Sequence, residues 1–200
     1  TFGTSFLSGG MITALKEALK LKGLEYPRDY KLLVIAGGSS ANLAALQSGQ
    51  IAATTVAVPL NYAAEETGLN FIGRLSEGIP YFQTNALVTR RSWAEKNRQS
   101  AIRFMKAMLL TFRWMYQNPD AAVDFLSKEM QLKPMHARKG WEFYTENRFW
   151  PPDGDVTMEG LKNNIRIYAE HSGAKGPLPN PAKYVDQSYL RDALKEIEKN

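Results

Sequence analysis

The sequence predicts an α/β protein: a lobe with a mainly parallel sheet flanked by helices, followed by a helix-rich C-terminal segment. Three observations predict it. A short strand, a Gly/Ser turn and an amphipathic helix occur twice in the first fifty residues. Strand-like apolar runs then alternate with helical periodicity to about residue 81, the pattern of parallel βαβ units. Beyond Arg90 only helical periodicity remains.

The first copy of the unit runs from Thr1 through Gly3, Thr4, Ser5, Ser8, Gly9 and Gly10 into a helix over Met11 to Lys22. Met11, Leu15 and Leu19 form its apolar stripe, Gly23 closes it, and Pro27 follows as a breaker. Leu32 to Ala36 is a continuous apolar run, as in a strand covered on both faces. Gly37-Gly38-Ser39-Ser40 then opens a short helix over Ala41 to Ser48, lined by Leu43 and Leu46. Ile51 to Val58 reads as a third strand stopped at Pro59, and Asn61 to Thr67 as a helix ended by Gly68. Leu69 to Leu75 and Phe82 to Arg90 read as two further strands.

Ile102, Met105, Met108, Leu109, Phe112, Met115 and Tyr116 recur at three- and four-residue steps, so a helix is predicted from about Ser100 to Gln117. Pro119 and Pro134 each stand at a first helical position, the latter for a helix reaching Asn147. Thr157 caps a helix running to His171, and Ser188 caps the last one. The expected division is an α/β lobe over residues 1–81 and a crossover strand with C-terminal helices over 82–200. So many helices against four or five strands call for more sheet, and the expectation is that a piece preceding Thr1 completes the molecule.

Composition narrows the function classes. With no cysteine, a disulfide scaffold, a Cys-ligated metal and a thiol nucleophile are excluded. A net charge of +5 raises the question of nucleic acid, but basic and acidic residues interleave at Lys16/Glu17, Glu95/Lys96, Lys128/Glu129 and Lys195/Glu196. A solvated mixed surface is the reading, and no nucleic-acid partner is expected. No apolar run approaches the roughly 20 residues of a membrane helix. His136 and His171 are the only histidines, both far along the chain from the Gly/Ser turns. No paired-His metal motif and no Gly-x-Ser-x-Gly elbow is present, so no catalytic residue, metal or cofactor is assigned.

The two turns carry the functional signal. Small residues stand where each helix begins, so unpaired amides and hydroxyls are available to a carboxylate, sulfonate, phosphate or carbonyl oxygen. Ser5, Ser8, Gly9 and Gly10 in one turn, and Gly38, Ser39, Ser40 and Asn42 in the other, are the candidate ligand contacts. The plainer alternative is a strand–helix turn with Ser as N-cap. A phosphate loop is excluded, because no Gly-Lys-Ser/Thr follows the glycines. The aromatic cluster of Trp141, Phe143, Tyr144, Phe149 and Trp150 is read as core and loop packing.

TFGTSFLSGG at the start, AGGSSANLAALQSGQIAATTVAVP over 36–59 and PYFQTNALVTRRSWAEKN over 80–97 resemble the type II periplasmic substrate-binding proteins. Within them the likeness is to the branch that binds nitrate, sulfonates, taurine and thiamine-precursor pyrimidines. Ala52 stands where that pattern usually has Asp. The resemblance makes residues 1–81 the second lobe of a periplasmic-binding-protein-like fold and the later helices part of an incomplete first lobe. It adds Val58, Pro59 and Tyr62 to the ligand contacts, Tyr62 being equally read as a packed surface aromatic. It places Tyr81, Phe82 and Asn85 at the hinge or cleft edge.

The implied function is the solute-binding component of a bacterial ABC uptake system, capturing a small polar or anionic organic ligand in an interlobe cleft. The implied partners are that ligand and a membrane permease, with a homodimer as a further reading. The implied location is periplasmic or extracellular, with an anchor through a removed N-terminal segment as one form of it. Two alternatives stay open: a thiamine-precursor biosynthetic enzyme on the same scaffold, and a ligand-sensing domain of a regulatory protein.

Overall fold

The computed structural model describes residues 1–79 and 81–199. The chain folds as two compact units, Thr1–Thr84 and Asn85–Asn200.

The first unit is α/β. Its strands are β1 (Phe2–Thr4), β2 (Leu32–Val34) and β3 (Ala53–Thr54), in the order β2-β1-β3 and all parallel. Phe2 lies opposite Leu32 on one side and Ala53 on the other, so β1 is the central strand. Helix α1 (Gly10–Lys20) follows β1, α2 (Gly38–Gln47) follows β2, and α3 (Leu60–Glu66) follows β3. Helix α2 packs on β1 and β3, and Ile12, Leu15, Ala45, Ile51 and Ala64 are among the apolar side chains buried in this unit. Gly3 allows that packing. A Cβ there would stand 2.3 Å from Ile51 Cδ1 and 2.9 Å from Asn42 Oδ1.

Four expectations are corrected. The run over Leu69 to Leu75 is not a strand: it has no regular structure until the short helix α4 (Leu75–Gly78), and Phe71 and Ile72 are exposed. Phe82 to Arg90 also joins no ladder, with Val88 89% exposed. A strand exists only within a ladder of backbone hydrogen bonds to a neighbouring strand, and neither run joins one among the described residues. The β2 run is open on part of its surface, since Leu33 and Val34 are exposed. The third strand is also shorter than Ile51 to Val58, pairing only at Ala53 and Thr54.

The second unit is helical: α5 (Arg91–Lys96), α6 (Arg98–Gln117), α7 (Pro119–Glu129), α8 (Pro134–Glu146), α9 (Met158–Ser172), a 3-10 turn at Pro181–Lys183 and α10 (Ser188–Glu198). Pro119 and Pro134 sit in the first turns of their helices, where a missing N–H removes no helical bond. Its core joins Ile102 and Leu109 of α6 to Leu190 and Ala193 of α10. Ser188 is the first residue of α10 and does not cap it; Asp186 Oδ1 accepts from the Ser188 amide at 2.9 Å. The aromatic residues pack on one another: the Tyr144 and Trp150 rings stack at 4.8 Å, and Trp141 Nε1 donates to the Met115 carbonyl.

Candidate functional site

All three strands of the first unit run the same way, so the chain leaves each of them along one edge of the sheet. The segments that emerge are Ser5–Gly9 after β1, Ile35–Gly37 after β2 and Thr55–Pro59 after β3. In open α/β sheets, ligands bind at this carboxyl edge.

Each emerging turn is shaped by its own residues. Thr4, which is buried, donates from Oγ1 to the Phe6 carbonyl at 2.9 Å and accepts from the Phe6 amide, which curls the chain as it leaves β1. The residues that precede α1 and α2 are glycines, Gly9 at φ 104° and Gly37 at φ 109°, a backbone region that side chains disfavour. Neither helix has a side-chain cap. Serine caps at the plain strand–helix turns are therefore not formed, because glycine occupies the capping position in both. The first amides of α1 and α2 are left without a side-chain acceptor, and their dipoles add partial positive charge there.

One side chain ties the two turns together. Asn42, 2% exposed, donates from Nδ2 to Ser5 Oγ at 3.1 Å and to the Gly38 carbonyl at 2.8 Å. Ser5, Gly38 and Asn42, expected from sequence as separate contacts, thus form one cluster. Ser8, Gly9, Gly10 and Ser40 are exposed and Ser39 half-buried. No hydrogen bond within the described residues engages the hydroxyls of Ser8, Ser39 or Ser40.

At the end of β3, Pro59 is buried, Val58 and Tyr62 are half-buried, and the Val58–Pro59 peptide is cis. Phe82 lies beside the first turn: its ring would meet a Cβ on Gly10 at 3.5 Å. Tyr81 is exposed, and Asn85 is exposed in the second unit.

The electrostatics of this edge are unusual for the chain. No Asp, Glu, Lys, Arg or His occurs from Leu32 to Ala64, nor from Thr1 to Leu15, in a protein with 22% charged residues. Amide dipoles, hydroxyls and carboxamides are the polar groups it can offer. Asn61, just after Pro59, adds a buried Oδ1 without a hydrogen-bond partner. Sequence reasoning passed over Asn61, Thr4 and Gly3; the uninterrupted neutral run was the signal that marked this region.

A family model, NMT1-like, matches residues 1–127. The chain belongs to the NMT1-like family. Searches of curated proteins and of solved structures return no match. This family consists mainly of nitrate-, sulfonate- and thiamine-precursor-binding proteins, usually periplasmic, and includes thiamine-precursor biosynthetic members. The match spans both glycine-led turns and the neutral edge. Elsewhere in this NMT1-like chain, His136 is buried in α8 and His171 stands in the last turn of α9. Among the described residues no cluster of His, Cys, Asp and Glu could hold a metal, and no helix is long and apolar enough to cross a membrane. A groove of about 610 Å³ follows one face of α6, lined by Leu110, Thr111, Arg113, Trp114 and Gln117, and includes none of the expected ligand contacts.

Proposed function

We infer that this protein is the solute-binding component of a bacterial ABC-type uptake system and captures a small polar or anionic organic molecule. The observation that carries the reading is the carboxyl edge of the β2-β1-β3 sheet. There two glycine-led helices begin beside each other, braced through Asn42, with no ionised side chain of the run from Leu32 to Ala64 to compete for their amides. An anionic or carbonyl oxygen is well matched to such donors. The contacts in this reading are Ser5, Ser8, Gly9, Gly10, Gly38, Ser39 and Ser40, with Val58, Pro59, Tyr62 and Phe82 supplying apolar walls and Asn42 the brace.

Family membership supports a periplasmic location and a membrane permease as recipient of the ligand. Binding, rather than turnover, is the output. Self-association through apolar surface is a further part of the reading, supported by the exposure of Phe104, Leu110 and Trp114 along α6.

Thermal-shift screening tests it, with nitrate, alkyl and aryl sulfonates, carboxylates, amino acids, pyrimidines and thiamine. One class is expected to raise Tm in a saturable way, the shift growing with ligand excess over Kd. Ser8→Ala and Ser39→Ala are each expected to weaken that binding by about tenfold, the worth of one hydrogen bond to a charged group. Saturable binding that is unchanged in both variants would place the ligand elsewhere.

A further inference from the structure

Asn42 carries a polar atom that the fold does not use. Its side chain is almost fully buried, yet Oδ1 has no hydrogen-bond partner among the described residues. A dry acceptor is costly, and this one lies against Gly3, where a Cβ would stand 2.9 Å from it, so an apolar side chain of equal size would lose nothing at that atom. The return comes through the other atom. Nδ2 has two protons, and they go to the Gly38 carbonyl and to Ser5 Oγ. Because a carbonyl only accepts, the Gly38 bond decides which end of the carboxamide faces the turns. Ser5 Oγ is therefore an acceptor toward Asn42. Its own proton has no acceptor among the described residues.

We propose that Asn42 is a positioning residue that, by donating to Ser5 Oγ, turns the Ser5 hydroxyl proton toward the ligand, so that the ligand atom received at Ser5 is a hydrogen-bond acceptor. This rests on the reading of the two turns as a ligand site and adds the polarity of the contact. A carbonyl, carboxylate or other oxyanion oxygen is taken there in preference to an ammonium. The surroundings favour a clean test. Helix α2, which carries Asn42, is packed by β1, β3 and α3. The first two elements hold no ionisable side chain, and α3 carries Tyr62, Glu65 and Glu66.

The probes are methanesulfonate, which only accepts and stays ionised at low pH, and methylammonium, which only donates. Each is titrated into the ¹⁵N-labelled full chain, following the amides of Ser5–Gly10 and Gly38–Asn42. Wild type is expected to respond to methanesulfonate and not to methylammonium. Asn42→Asp reverses the bond once ionised, since a carboxylate draws the Ser5 proton inward. Burial raises such a pKa, so the upper pH is set where the carboxyl ¹³C shift shows the group ionised, and there methanesulfonate is expected to bind about tenfold more weakly. Below pH 4 the new carboxyl is protonated and can donate again, so affinity is expected to recover toward that of wild type at the same pH. Asn42→Leu, which removes the dry acceptor, is expected to melt no lower than wild type yet bind as weakly as Ser5→Ala. The double variant should bind no more weakly than either single one.

Equal methanesulfonate affinity in wild type and Asn42→Asp at both pH values overturns the positioning role, as does a preference for methylammonium. If wild type responds to neither probe nor to any compound of the thermal-shift panel, the ligand-site reading fails, and this inference with it.

Discussion

The two units of this chain use opposite kinds of polarity. Along the sheet edge of the first unit, polar work is done by neutral groups: the Thr4 hydroxyl, the Asn42 carboxamide and the amides that follow Gly9 and Gly37. The second unit fastens its helices with ion pairs at the surface, Arg98 to Asp192 between α6 and α10, Arg138 to Asp120 between α8 and α7, and Arg166 to Glu170 within α9. Exposed ion pairs contribute little each and are screened by salt, so this second unit depends on its apolar contacts. The neutral edge lacks ionised side chains that would attract counterions or titrate near neutrality. The contrast teaches that the proposed ligand site falls in the region free of charge, where no ionised side chain of the run competes for the helix amides.

The largest effects should come from breaking each unit at its own weak point. Leu109 is 1% exposed and packs with Ile102, Leu190 and Ala193. Leu109→Ala is expected to cost about 3 kcal/mol, through lost burial and the cavity left behind. Gly3→Ala is the counterpart in the first unit. Its new methyl group would overlap Ile51 Cδ1 and crowd Asn42 Oδ1, for a loss of about 2 kcal/mol. Urea unfolding followed by hydrogen exchange on peptides from each unit checks both. The comparison holds if Leu109→Ala loosens peptides beyond Asn85 and Gly3→Ala loosens those before Thr84. It breaks if either variant loosens both units alike, which would make them one cooperative body.

Much of this contrast was legible in the sequence. The repeated strand, Gly/Ser turn and helix emerged because glycine and short-period apolar runs are local signals, and they lead to β1–α1 and β2–α2. The periodic series from Ile102 to Tyr116 likewise marks α6. The runs around Phe71 and Leu87 failed as strands for a physical reason. An apolar, β-prone run reads the same whether or not a neighbour pairs with it, and pairing is tertiary. The capping glycines lay within the Gly/Ser turns, beside the serines to which the cap was credited. The bond from Asn42 to Ser5 joins residues 37 apart, which no periodicity reports. By contrast, the uninterrupted neutral run from Leu32 to Ala64 is plain in the sequence and needed only to be counted as a signal.

The smallest effect sharpens the comparison by pH. Asp192 accepts from Arg98 at 2.5 Å, and its carboxyl lies below the usual carboxylate range. That hydrogen bond is the main cause, joined by the charges of Arg98, Lys195 and Arg191 and opposed by desolvation. A carboxyl whose pKa falls on folding contributes its stability above the unfolded value of about 3.9 and loses it as the pH drops through the folded one. Both side chains are partly exposed, so the contribution is small and should shrink further in high salt. Stability should therefore show no slope from this pair near neutrality. Below about pH 4, amide protection along α6 and α10 should fall, after correction for intrinsic exchange rates. Asp192→Asn should remove part of that acid step, whereas the amides from Leu32 to Ala64 should show none of their own, having no carboxylate in that run to titrate. An acid step of equal size in Asp192→Asn would remove the pair from the account. A step confined to the neutral edge would end the contrast between the two units, because protons would then be acting where the chain holds no carboxylate to receive them.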